Sequence, residues 1–152
     1  MAASQTRAQL VAIPRIERAA HAVGLYVANR PRFELTQAEA HVLAFLHPRS
    51  EARINEIHEA FGHRRSTLTS VLDRLEKREL IERASDPEDR RSVVVALTPS
   101  GAALSKDVFA ALRSLESATL AKFSKGQVAA FVRVLDALTR CAAADADRSQ
   151  QA

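Results

Sequence analysis

Between residues 65 and 97 the hydrophobic repeat changes period, and that change limits the fold more than any other feature. Leu68, Val71, Leu72 and Leu75 recur at i, i+3, i+4 and i+7, one face of an α-helix. The face opposite them holds Ser66, Thr69, Ser70, Asp73, Arg74 and Lys77, small and hydroxyl-rich with charge on its flanks. Two short runs follow at once, "LIERA" at 80–84 and "SVVVAL" at 92–97. Both are apolar or β-branched, and "SDPEDRR" joins them, which predicts a β-hairpin with a long tip. A tip that only reversed the chain would need Asp, Pro, Gly or Asn, and not Arg90 beside Arg91.

The rest of the chain reads as helix. Residues 7–29 carry Leu10, Ile13, Ile16, Ala20, Val23 and Val27 as one stripe, and Pro14 either starts that helix or bends it. In "LTQAEAHVLAFL" Thr36 and Glu39 form a capping box, with Val42, Leu43 and Leu46 facing inward. Arg53 and Ile54 read as a short strand, and Asn55 as the N-cap of a short helix carrying Ile57 and Phe61 and closed by Gly62. After the hairpin, Thr98 caps a helix with Pro99 at its first position, continued by Leu104, Val108, Leu112, Leu115 and Phe123. Ser124 and Gln127 cap a last helix with Val128, Phe131, Val132, Leu135 and Leu138, and the tail "DADRSQQA" is expected to fray.

Composition narrows the function. The 152 residues suit one domain, or one with an appended dimerisation element, and no apolar run approaches the roughly 20 residues of a membrane span. A lone cysteine, Cys141, and an N-terminus without signal-peptide order point to the cytoplasm. The net charge is +4, but no segment is a basic block, since residues 63–91 set eight cations against seven acids. A nucleic-acid binder of this kind must sort its charges by face. No Gly-rich phosphate loop, nucleophile elbow or metal cluster is present in the sequence, so no catalytic residue, cofactor or metal ligand is expected. Histidines 21, 41, 47, 58 and 63 and Cys141 read as structural or solvated residues.

A short helix, a tight turn, a second helix with a polar outer face and a hairpin describe a winged helix-turn-helix. One α-helix fits the major groove of B-DNA, where base edges need short donors and acceptors at close range. Ser66, Thr67, Thr69 and Ser70 meet that need, with Arg64 and Arg65 at the helix entrance placed for a phosphate. A hairpin beyond the helix reaches the adjacent minor groove, where Arg inserts well. Asp86, Glu88 and Asp89 would orient Arg90 and Arg91, with one arginine in the groove and the other held by Asp89.

Residues 35–104 resemble the MarR-type family of bacterial transcription regulators. The resemblance rests on "LTQAEAHVL", "STLTSVLDRLEKRELIER" and "DPEDRRSVVVALTPSG", whose Asp89, Arg90 and Arg91 match the family's wing signature. It implies a mainly α fold with a small β-wing, a DNA-binding lobe at 35–99, and dimerisation helices at 7–29 and 102–143. It also implies a homodimeric repressor on a pseudo-palindromic operator, with Arg91 in the minor groove and Arg74 and Lys77 among the DNA contacts. An aromatic or phenolic effector would then lie near His21, Tyr26, His41 and Phe45. The sequence departs from the family at Glu79, where a Gly is usual, so that corner is expected to continue as helix. It departs also at Arg64, in place of a capping residue, and at Ser70, in place of a cation. Two rivals stand beside this reading. A winged-helix module that binds protein would show an apolar or acidic face at 66–77, and a small enzyme would need a histidine brought to Cys141.

Overall fold

The computed structural model describes residues 10–62, 65–87, 89 and 92–150, with the backbone alone for Arg65 and 145–150. Its elements run α1 (Ile13–Ala28), α2 (Gln37–Leu46), β1 (Glu51–Arg53), α3 (Ile54–Phe61), α4 (Arg65–Lys77), β2 (Ile81–Ser85), β3 (Val93–Leu97), α5 (Pro99–Leu120) and α6 (Lys125–Gln150). Contacts divide the chain into two compact units, Met1–Ala110 and Ala111–Ala152.

Local chemistry sets most boundaries. Pro14 stands in the first turn of α1, so it starts the helix and does not bend it. Thr36 caps α2 reciprocally with Glu39. Gly62 closes α3 at φ +58°, a left-handed turn that costs glycine little. At α5, Thr98 Oγ1 accepts the Gly101 N–H at 3.0 Å, and at α6 Ser124 and Gln127 satisfy each other's backbone N–H groups.

Several expectations need correction. Ile54 begins α3 and is not part of β1. The N-cap of α3 is Arg53, not Asn55, because Glu56 reaches back to the Arg53 N–H at 2.7 Å. Phe123 is not on α5, which ends at Leu120. It is the residue before the Ser124 cap, spaced from Val128 as in a hydrophobic staple. The C-terminal tail does not fray at residue 145, since α6 continues to Gln150 through a stretch without Gly or Pro.

The corner after α4 is also not helix. Glu79 takes φ +55°, its N–H bonds the Glu76 carbonyl at 2.8 Å, and the Leu80 N–H bonds the Leu75 carbonyl at 3.0 Å. That bond pair is a Schellman cap, with a glutamate where glycine carries no Cβ penalty. Glu79→Gly should therefore stabilise the protein by about 1 kcal/mol, raising Tm by roughly 3 °C in a thermal melt.

The first unit packs around one apolar centre. Leu68, Val71, Leu72 and Leu75 of α4 are buried together with Val42, Leu43 and Leu46 of α2 and Ile57 of α3. The sheet has the order β1-β3-β2, all antiparallel, and Val95 pairs with Ala52 on one side and Arg83 on the other. In the second unit Phe123, Phe131, Val132 and Val134 are about half exposed. An apolar cavity of about 380 Å³ lies there, between Leu120, Phe123, Val128 and Phe131.

Candidate nucleic-acid interface

Helix α4 buries one face and shows the other. Ser66, Thr67, Thr69, Ser70, Asp73, Arg74 and Lys77 are all exposed. The Ser70 hydroxyl donates to the Ser66 carbonyl at 3.1 Å, which fixes its rotamer and leaves the oxygen outward as an acceptor. Between α3 and α4 a crevice of about 110 Å³ is lined by Ile54, Asn55, His58, Leu68 and Thr69. Arg64, Arg90 and Arg91 lie outside the described residues, as does the Arg65 side chain.

Three arginines tie this surface to the rest of the fold. Arg74 Nε donates to Glu39 Oε1 at 2.8 Å, linking α4 to the start of α2. Arg83 of β2 reaches both Asp73 and Glu76 of α4, with its Nε 3.0 Å from Glu76 Oε2. These bonds raise the Arg83 pKa, and the same guanidinium lowers that of Glu76. Arg53 Nε donates to Asp86 Oδ2 at 2.6 Å. Asp86 was expected among the tip arginines. It is buried against Arg53, since a carboxylate out of water needs a partner, and any contact with Arg90 or Arg91 lies outside the described residues.

The base of the wing is ordered by backbone bonds. The Asp86 N–H donates to the Ser92 carbonyl at 2.9 Å, extending the ladder beyond the Ser85–Val93 pair. The Ser92 N–H and hydroxyl both donate to Asp89, at 2.8 Å each. The expectation that Asp89 holds one of the tip arginines concerns side chains outside the described residues.

Glu39 is 3% exposed. Burial raises its pKa, but the Thr36 N–H, the Arg74 guanidinium and the Thr36 hydroxyl together outweigh burial, so the carboxyl titrates below its ordinary 4.5. A depressed folded value stabilises the protein fully above about pH 4.5 and loses that contribution as pH falls through the folded value. Glu39→Gln should lower the urea midpoint at neutral pH and flatten its decline on the acid side.

The residues proposed for an effector fall into two groups. His41 and Phe45 meet at Phe61, stacked at 6.3 Å and edge-on at 5.6 Å between ring centroids. Arg49 covers the Phe45 ring, and Arg30 covers Tyr26. His21 is exposed on α1, and Cys141 is exposed on α6.

With this geometry in place, residues 35–93 match the family model described as "MarR family". Over that stretch the chain is similar to the MarR family. The match covers the winged helix-turn-helix from the capping box of α2 to the start of β3. The chain is 29% identical over 102 residues to the HTH-type transcriptional repressor NicR of Pseudomonas putida, covering 67% of this chain. The matched stretch spans 65% of that repressor, just under two thirds of its length. It spans under half, 45% and 48%, of two curated regulators of Bacillus subtilis. Among solved structures, the S. aureus MepR–DNA complex shares the fold at TM-score 0.73 and 20% identity, covering 88% of this chain and 99% of that one. Bordetella bronchiseptica BpsR, studied for its regulation by 6-hydroxynicotinic acid, matches at TM-score 0.67 and 25% identity, covering 91% and 98%.

The exposed polar face of α4 was legible from periodicity. Its bracing was not, because Arg74–Glu39 and Arg53–Asp86 join residues 35 and 33 positions apart with no local sequence signal. Among the described residues no helix is long and apolar enough to cross a membrane.

Proposed function

We propose that this MarR-family regulator is a cytoplasmic homodimeric repressor that binds a pseudo-palindromic operator and is released by a small aromatic or phenolic ligand. The observation that carries this is the exposed hydroxyl face of α4, Ser66 to Ser70, with a wing tied to the same helix through Arg83. Short hydroxyls suit base edges in the major groove, and Arg64, Arg65, Arg74 and Lys77 supply phosphate contacts around them. Arg90 and Arg91 serve the minor groove, with Asp89 as their orienting acid. A two-fold dimer spaces its recognition helices about 34 Å apart, one DNA turn.

The half-exposed Phe123, Phe131, Val132 and Val134 support association through α5 and α6, with α1 completing the dimerisation set. His41 and Phe45, gathered at Phe61, and Tyr26 under Arg30 offer flat apolar faces beside cations, which suits an aromatic acid; His21 completes the set the sequence suggested. A protein-binding module is disfavoured, because that reading needs an apolar or acidic face on α4, and Asp73 is there neutralised by Arg83.

Selection of duplexes from a random pool with the purified protein should return two inverted half-sites one turn apart. On the selected duplex, Arg91→Ala should weaken binding by about 1–3 kcal/mol without changing the dimer. The parent affinity should fall steeply with added salt as condensed counterions are released. An unaltered gel-shift affinity for Arg91→Ala would remove the wing from the mechanism.

A further inference from the structure

The wing is fastened at two points to two different elements. Arg83, in the middle of β2, is held by Asp73 and Glu76 of α4. Asp86, one residue beyond β2, receives Arg53 Nε at 2.6 Å. Arg53 ends β1 and caps α3, and Glu56 fixes its backbone N–H at 2.7 Å. The Arg53 guanidinium therefore projects from a rigid junction. A strand tethered once can swing about the tether. Tethered twice, to α4 and to the β1–α3 junction, it has a fixed heading at Asp86, just past the end of the strand.

The placement of the charge is informative. Asp86 is 3% exposed, whereas the Arg53 side chain is about half exposed. A negative group at the root of a DNA-binding wing repels phosphate through space, so as a charge alone it weakens binding. Its burial against a capped arginine gives it a mechanical role. We propose that Asp86 and Arg53 are positioning residues that aim the wing into the minor groove. This rests on the DNA-binding reading above.

The two roles predict opposite signs. Asp86→Asn keeps the shape and removes the charge. If Asp86 were only a charge near DNA, the variant would bind tighter. If it aims the wing, the variant binds on the order of tenfold weaker, about 1.4 kcal/mol. The full-length protein is tested on the duplex that the parent protein selects from a random pool, by affinity and by hydroxyl-radical footprinting. Asp86→Asn and Arg53→Met should each lose protection in the flanking minor groove and keep it in the central major groove. Exchanging the pair, Arg53→Asp with Asp86→Arg, should restore part of the flank. Should Asp86→Asn fail to fold, Arg53→Lys carries the same test, because it keeps a cation beside the buried Asp86 carboxylate and loses the directed Nε donor.

Unchanged or tighter binding by the variants overturns the proposal. So does a loss of protection spread evenly over centre and flank, which marks general destabilisation. If Arg91→Ala loses the flank while both Asp86→Asn and Arg53→Met keep it, the aiming pair is wrong and the DNA reading stands. If the parent protein itself protects no flanking minor groove, the wing reading fails and the pair's role fails with it.

Discussion

If the proposed homodimer forms through α5 and α6, Phe131→Glu should leave the protein monomeric at concentrations where the parent chain associates. Phe131 is 54% exposed on α6, beside Val132 and Val134, and it lines the apolar cavity with Phe123 and Leu120. Covering one such ring contributes about 1.5–3 kcal/mol. A two-fold interface repeats each residue, so the loss counts twice. A carboxylate in its place adds the cost of burying an unpaired charge. The combined effect is at least ~3 kcal/mol, more than a hundredfold in the dimer constant. Sedimentation velocity reads the state directly. Operator affinity should collapse with it, because a single recognition helix meets one half-site only. A variant that sediments as the parent does would place the interface elsewhere.

Gly101→Ala should destabilise the chain more than any other single-methyl change in it. A Cβ at Gly101 would stand 1.7 Å from the Leu80 carbonyl oxygen and 2.7 Å from its carbon. Both are backbone atoms, so no rotamer change relieves the clash. The same carbonyl accepts the Thr98 N–H at 3.2 Å, and the Thr98 hydroxyl donates to the Glu79 carbonyl at 2.6 Å. Pushing α5 away breaks both bonds. Overpacking against a fixed backbone costs about 3 kcal/mol or more, a fall in Tm of roughly 10 °C. Gly126→Ala is the internal control, since nothing nearer than the Ser124 hydroxyl, at 4.0 Å, meets a Cβ there. That variant should melt at or above the parent temperature.

These two glycines show where sequence reading reaches and where it stops. The caps at Thr36, Thr98 and Ser124 were legible because a side chain and a backbone N–H three residues apart decide them. The buried face of α4 was legible because 3.6-residue periodicity reports burial directly. The left-handed Glu79 was not, since a glutamate gives no sign that it will accept the φ of a glycine. Residue type favours Asn55 as the cap of α3, but Glu56 satisfies the Arg53 N–H and makes Arg53 the cap. Nothing around Gly101 in sequence shows that the carbonyl of Leu80, 21 positions earlier, lies against it. The inward turn of Asp86 was hidden for the same reason, because its partner comes from another strand.

The bare Cα of Gly101 seats the first turn of α5 on the corner between α4 and β2. That helix is 22 residues long, about 33 Å of rod at 1.5 Å per residue. Its N-terminal half is gripped at more than that one point, since Ser105 and Val108 are buried, the Ser105 hydroxyl lies 3.2 Å from His47 Nδ1 and Phe109 packs on the same ring. A shift of that half therefore reaches the Leu80 carbonyl, one residue before β2 begins.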